Sequence, residues 1–339
     1  MSQICGISFC FSLLLIKVYS CGVDDLVHKK SENALVTVIE KFEQKAAAAD
    51  KLDREGTKSQ EEIYPYYDDM SVDANTIVDL LDDDPTNAYK FLEFGGIGTV
   101  INSQLAIFHL GLRTQLLNLT KKLFEMAPST TNAMMPPNAV DKIVDIFEGD
   151  SDEGIKAKAL DILYVWLPNN PRIQARVMKT KGLEPFYEQA LKLDGTVVNI
   201  LLDLFNKILE EHYYVRSQKK YSRTSDLNRL NIYKKIGLIE RLSNPVTCNG
   251  LLNIFEATNS RWQSADVTLP VFKLLKKVNN HCFGVFKGNN KALQIFENFL
   301  KTLTEKESFF SEKGLNATEF RIMLKTYIEK LKIPRNDEL

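Results

Sequence analysis

Leu92-Glu93-Phe94-Gly95-Gly96-Ile97-Gly98-Thr99-Val100-Ile101 decides the fold class. A helix carrying Ala88, Phe91 and Leu92 at helical spacing runs into a glycine pair. A second helix then opens with Ile97, Val100 and Ile101. Glycine there permits a left-handed backbone and a close helix crossing. The phrase returns three times. Asn138-Ala139-Val140 precedes Ile143, Val144 and Phe147. Gly182-Leu183 precedes Phe186, Ala190 and Leu191, and Gly237-Leu238 opens a fourth copy. Turn positions 96, 138 and 182 lie 42 and 44 residues apart. Position 237 follows after 55, with a charged insertion around Lys219, Lys220 and Arg223.

A period in the low forties with three helices per unit is the armadillo pattern. One such unit cannot bury its own apolar face, but stacked neighbours cover each other. The spacing predicts an all-α chain: an armadillo-like right-handed superhelix of about four three-helix repeats over residues 71–335. Residues 71–94 and a final helix from Phe320 to Leu331 would cap it. The third helices are expected at Leu105 to Met126, Ile155 to Leu167, Val197 to His212 and Val267 to Val278, lining the inner face. Asn138 stands where the phrase expects glycine, and Asn tolerates the same left-handed dihedral. Asp84 and Pro85 read as the cap and first position of a helix. A non-repetitive helical bundle is the competing class.

The flanks point to a compartment. Phe9, Phe11, Leu13, Leu14, Leu15, Ile16 and Val18 form an apolar run too short for a bilayer, which needs about 20 residues. It suits a signal peptide over residues 1–20, cleaved after Ser20. Asn336-Asp337-Glu338-Leu339 resembles the Lys-Asp-Glu-Leu retrieval signal, so entry to the lumen of the endoplasmic reticulum and a retrieval receptor are expected. No membrane-spanning segment is expected after cleavage. Residues 21–70 read as a charged, partly helical or mobile leader with a narrow stripe of Leu35, Val38, Ile39 and Phe42. Pro65 is expected to break any helix, and a domain boundary is placed near 70. Lys and Arg number 43 and Asp and Glu 44; losing Lys17 with the signal leaves 42 against 44, or −2. That balance does not suggest nucleic acid as a partner. Cys21, Cys248 and Cys282 would remain in the mature chain. Cys248 and Cys282 form a bridge in an oxidising lumen, or stand as two buried thiols. Asn118-Leu119-Thr120 and Asn316-Ala317-Thr318 are glycan acceptor sequences at Asn118 and Asn316.

The chain offers no catalytic set, so it is read as not an enzyme and without a cofactor. His28, His109, His212 and His281 have no companion at metal-ligand spacing. His109 is expected to pack between helices, and His212 to end a helix where a cation suits the dipole. Gly95-Gly96-Ile97-Gly98 lacks the order and the preceding strand of a phosphate loop. Trp166 and Trp262 lie at core spacing. The third helices instead carry polar side chains beside their apolar stripe: Lys121, Lys122 and Glu125; Lys156, Lys158 and Asp161; Asn199, Asp203, Asn206 and Glu210. Stacked side by side, these are expected to tile a groove for a protein partner.

The leader, the repeat containing Leu92 to Ile101 and the Asn-Asp-Glu-Leu end together resemble the Sil1 proteins. These are lumenal nucleotide exchange factors for the Hsp70 chaperone BiP, related to the cytosolic HspBP1 and Fes1 proteins. The resemblance covers residues 71–335 in layout and is clearest from 75 to 212. It implies an armadillo domain that grips a lobe of the Hsp70 nucleotide-binding domain, holds it open and lets ADP leave. No covalent step is needed, only tighter binding to the open state. The alternatives are a lumenal armadillo scaffold for another client, and a helical enzyme with a scattered site.

Overall fold

The computed structural model describes residues 33–56, 59–190, 192–218, 224–259 and 265–333. The expected signal peptide, the retrieval tail, the charged insertion at 219–223 and Trp262 lie outside these. Among the described residues every regular element is helical. The chain divides into two compact units, Met1–Pro136 and Pro137–Leu339.

In the first unit, α1 spans 33–55 and α2 spans Gln60–Asp83. The buried side chains of α1 are Leu35, Ile39, Phe42, Ala46 and Ala49. They advance in alternating steps of four and three, the spacing of a two-helix seam. Met70, Ala74, Ile77 and Leu81 of α2 follow the same rhythm. Lys45 joins the pair, its Nζ lying 2.6 Å from Asp73 Oδ2. Here the structure corrects the expectation that Pro65 breaks the helix. Pro65 lies inside α2, and the helix runs unbroken through residue 70. Near the helix start the proline ring forfeits one backbone bond, and the buried seam C-terminal to it outweighs that cost. The helix is capped by Ser59 in a reciprocal box with Glu62.

After α2 come α3 (Asn87–Glu93), a π-helical turn (Ile97–Asn102), α4 (Leu110–Met126) and α5 (Pro128–Met134). Asp84 accepts from the Thr86 N–H at 3.0 Å, and Asn87 rather than Pro85 begins α3. The glycine pair divides its labour. Gly95 takes the left-handed φ of +74°, while Gly96 is right-handed and lies flat on Phe91, where a Cβ would strike the ring. The third helix begins at Leu110, not at Leu105, because the π-turn uses up the preceding residues and the His109 ring caps α4. α2 packs along α4.

The second unit holds α6 (Ala139–Gly149), α7 (Glu153–Trp166), α8 (Pro171–Thr180), α9 (Glu184–Gln189) and α10 (Gly195–Ser217). Then follow α11 (Thr224–Ile236), α12 (Leu238–Arg241), α13 (Pro245–Asn259) and α14 (Ala265–Phe286). It closes with α15 (Asn290–Glu305), α16 (Glu307–Glu312) and α17 (Ala317–Lys332). Capping sets several starts: Asp152, Asp194 and Asn289 each accept a backbone N–H of the first turn of the helix that follows. Packing then skips along the chain. α6, α9, α13 and α15 touch in succession, and so do α7, α10, α14 and α17. This is non-sequential helix-on-helix packing in two rows, as in a helical solenoid.

Between the rows lies an aromatic core. Phe147, Phe186 and Phe205 follow one another at centroid distances of 5.5 and 6.3 Å. Phe255, Phe272, Phe296 and Phe299 continue it. Trp166 is also buried. Each such ring contributes on the order of 2 kcal/mol by leaving water. A disulfide joins Cys248 of α13 to Cys282 of α14, and both residues are inaccessible to solvent. Gly182 and Gly237 are left-handed, but Asn138 has φ −75°, so the second turn is made without the dihedral expected of it.

Candidate partner-binding face

The polar side chains expected to form a groove fall in both units. Lys121, Lys122 and Glu125 belong to the first, on α4. Lys122 pairs there with Asp82 of α2, Lys121 is half-buried and Glu125 is exposed. The others lie on α7 and α10 of the second unit.

The row α7–α10–α14 brings some of these together and turns others inward. Asp203 of α10 accepts from the Tyr164 hydroxyl of α7, and Lys207, one helical turn on, lies beside both. Next along the row, Lys277 of α14 sits 3.0 Å from the Asn206 carbonyl and 3.5 Å from Glu210. Burial holds the Lys277 ammonium below its ordinary pKa, against the opposing pull of Glu210. Tyr213 completes the run, its hydroxyl 2.8 Å from His281 Nε2. Half-buried Tyr164, Asp203, Tyr213 and Lys277 and exposed Lys207 and Glu210 thus line up over three helices.

Two expected groove residues belong elsewhere. Asn206 is buried, and its amide donates to the Pro270 carbonyl at 2.8 Å, so it ties α10 to α14. A buried amide must find a partner inside, and a neighbouring helix backbone supplies one. Lys156 turns to the other row, donating to Gln189 Oε1 of α9 at 2.6 Å and to the Glu148 carbonyl at 3.3 Å. Burial and the nearby Lys192 charge lower its pKa. Lys158, Asp161 and Asn199 are half-buried.

Sequence reasoning missed Tyr164, Lys207, Lys277 and Tyr213. One signal was present: Asp203 and Lys207 are opposite charges at i, i+4. It also missed the network behind the row. The Glu211 carboxylate accepts from the Asn169 N–H at 2.9 Å, Gln174 at 3.0 Å, Arg229 at 2.9 Å and the Tyr233 hydroxyl. Beside it, His212 does not end a helix as a cation. α10 continues to Ser217, and His212 is fully buried with Nε2 3.0 Å from Gln174 Oε1. Burial pushes its pKa down to about 4, helped by the Arg216 charge, so it is neutral at physiological pH.

The two glycan acceptors differ. Asn118 lies half-buried on α4, and Thr120 of its triplet is fully buried. Asn316 is exposed, and its Oδ1 caps α17 through the Glu319 N–H at 3.1 Å. Its Nδ2, the atom a glycan modifies, donates to Glu319 Oε2 at 3.3 Å in a solvent-exposed bond. Among the described residues no cluster of His, Cys, Asp or Glu is placed to hold a metal ion. No described helix is long and apolar enough to cross a membrane. No protein-family model and no curated protein matches the chain.

Proposed function

We propose that the second unit is built of armadillo-like three-helix repeats, and that the protein is a nucleotide exchange factor for the Hsp70 of the endoplasmic reticulum lumen. It binds the nucleotide-binding domain, prefers its open lobe arrangement and so promotes ADP release. The observation that carries the reading is the row α7–α10–α14, which presents Tyr164, Asp203, Lys207 and Glu210 as a patterned polar face. Such a face engages a folded surface by charge and hydrogen bonding, and needs no nucleotide pocket of its own. The lumenal setting rests on the apolar run before Cys21 and on Asn336-Asp337-Glu338-Leu339, and the choice of Hsp70 on the resemblance in layout.

Exchange by differential binding has an energetic requirement. Accelerating ADP release about 1000-fold asks for about 4 kcal/mol of preference for the open state. The direct test is release of a fluorescent ADP analogue from purified lumenal Hsp70. Acceleration at micromolar concentration, reduced by Asp203→Lys and Lys207→Glu, is expected. An unchanged release rate with the intact protein would end the proposal. Release that is accelerated but indifferent to both substitutions would move the contact off this row.

A further inference from the structure

Lys277 stands apart among the cations of the polar row. Its side chain is 20% exposed, against 43% for Lys207 and 57% for Lys276. An ammonium group has three N–H bonds to place. One goes to the Asn206 carbonyl at 3.0 Å, while Asn206 Oδ1 lies at 3.4 Å and Glu210 Oε2 at 3.5 Å. The last two distances are at the limit of a hydrogen bond. Among the described residues Glu210 is the one carboxylate within ion-pair distance of Lys277, and it is held loosely. It is 75% exposed, and water competes for it.

The other carboxylates of the face are committed elsewhere. Asp203 accepts from Tyr164 and pairs with Lys207, and Glu319 of α17 pairs with Lys276 at 2.8 Å. From Val267 to Phe296 the chain has five lysines and no Asp or Glu, so α14 offers Lys277 no carboxylate of its own beyond Asp266 at its start. Burial disfavours the charged ammonium and Lys273, one turn earlier, adds repulsion, with Glu210 and Asp203 opposing both. A cation in this position gains more than an exposed one from a carboxylate brought to it, because most of its water is already gone.

We propose that Lys277 is the anchor of the partner-binding face: it takes an Asp or Glu side chain of the partner protein, and Glu210 is an internal stand-in that this carboxylate displaces. The inference rests on the row being the contact face, as in the proposed function, and adds the chemistry of the contact. The two members of the ion pair then act on binding with opposite signs. A merely structural pair would weaken binding, or leave it alone, whichever member were removed.

The test measures affinity of the intact protein for purified lumenal Hsp70 by isothermal titration calorimetry, with thermal melts to check folding. Lys277→Met should weaken binding at least about thirtyfold, the scale of a truncated buried charge pair. Glu210→Gln should tighten it about twofold to fivefold, the scale of a loose exposed pair released. Lys291→Met removes the same charge from the pair with Glu256 in the other row, and should leave affinity unchanged. Unchanged affinity in folded Lys277→Met, or weaker binding by Glu210→Gln, would overturn the proposal; the second arm stands even if Lys277→Met does not fold. Absence of any binding by the wild-type protein would end the exchange reading alone. The anchor is therefore also tested by fluorescence anisotropy with a labelled peptide of Glu, Gly and Ser beside its Gln counterpart. Preference for the Glu peptide, abolished by Lys277→Met, is expected, and equal or absent binding of the two peptides would overturn the anchor as well. Lys277-dependent binding to phosphatidylserine vesicles would replace the partner carboxylate with a lipid headgroup and overturn it too.

Discussion

Replacing Glu211 by Gln should unfold the second unit at markedly lower denaturant. The carboxylate is 8% exposed and serves four donors. Oε2 takes the Asn169 N–H and the Gln174 amide, and Oε1 takes Arg229 and the Tyr233 hydroxyl. A glutamine has one oxygen and one NH2 group. Turned with its NH2 toward Arg229 and Tyr233, it can donate to the Tyr233 hydroxyl, which rotates to accept, so only the Arg229 bond is lost; turned the other way, its NH2 confronts the Asn169 N–H and the Gln174 amide. Hydrogen bonds to a charged group contribute about 1.5–3 kcal/mol each, so losing the Arg229 bond and the charge behind the other three costs about 2–4 kcal/mol. Arg229 is 42% exposed and keeps Asn169 Oδ1 as an acceptor, which lowers the expected loss to about 2 kcal/mol. Glu210 supplies the control one residue away. It is 75% exposed and meets Lys277 only at 3.5 Å, so Glu210→Gln should cost within about 0.5 kcal/mol. Urea unfolding followed by far-ultraviolet circular dichroism compares the wild-type protein with both variants. Coincident transitions for Glu211→Gln and Glu210→Gln would refute the four-donor assignment.

Four further outcomes are expected. The His212 value of about 4 lies below the ordinary 6.5, so between these pH values the folded protein binds fewer protons than the unfolded chain. Its contribution is intact above pH 6.5 and disappears as pH falls toward 4, about 3 kcal/mol across the window. Urea midpoints against pH should therefore be flatter for His212→Gln, and identical slopes would assign the acid loss to other groups. A Cβ at Gly250 of α13 would fall inside the Tyr187 ring, so Gly250→Ala should cost about 1–3 kcal/mol, whereas Gly284→Ala has open space and should not lower the melting temperature. The Cys248–Cys282 bridge closes a loop of sequence separation 34, and its removal as Cys248→Ala with Cys282→Ala should cost about 4 kcal/mol in guanidinium unfolding, most of it by freeing the unfolded chain. Asn316→Asp keeps the α17 cap but faces the Glu319 carboxylate where the amide donated, so in a secretory host it should remove a glycan by mass and lower stability by no more than about 1 kcal/mol; an unchanged mass would show the site unoccupied.

Helix content was legible because periodicity is a local property. Val140, Ile143, Val144 and Phe147 announce α6 by themselves, and all four are buried. The glycine turns were legible for the same reason, since Gly182 and Gly237 do take the left-handed backbone. Pro65 was misjudged because its cost is local, while the Met70, Ala74, Ile77 and Leu81 seam that outweighs it needs α1 as partner. The polar face was only half legible. Asp203 and Glu210 reach the surface, but Asn206 and Lys156 have the same hydrophilic character in sequence and are used internally. A residue's polarity does not say whether its partner is water or a helix backbone dozens of residues away.

By itself the sequence determined an all-helical chain, its turns and the polar character of its longest helices, because spacing and capping act over one or two turns. Only the tertiary structure decided which helices stack into rows, that Cys248 meets Cys282, and that Glu211 and His212 are buried beside exposed Glu210. Neighbours on one helix point in directions about 100° apart, and which direction is the interior depends on what the rest of the chain packs against it.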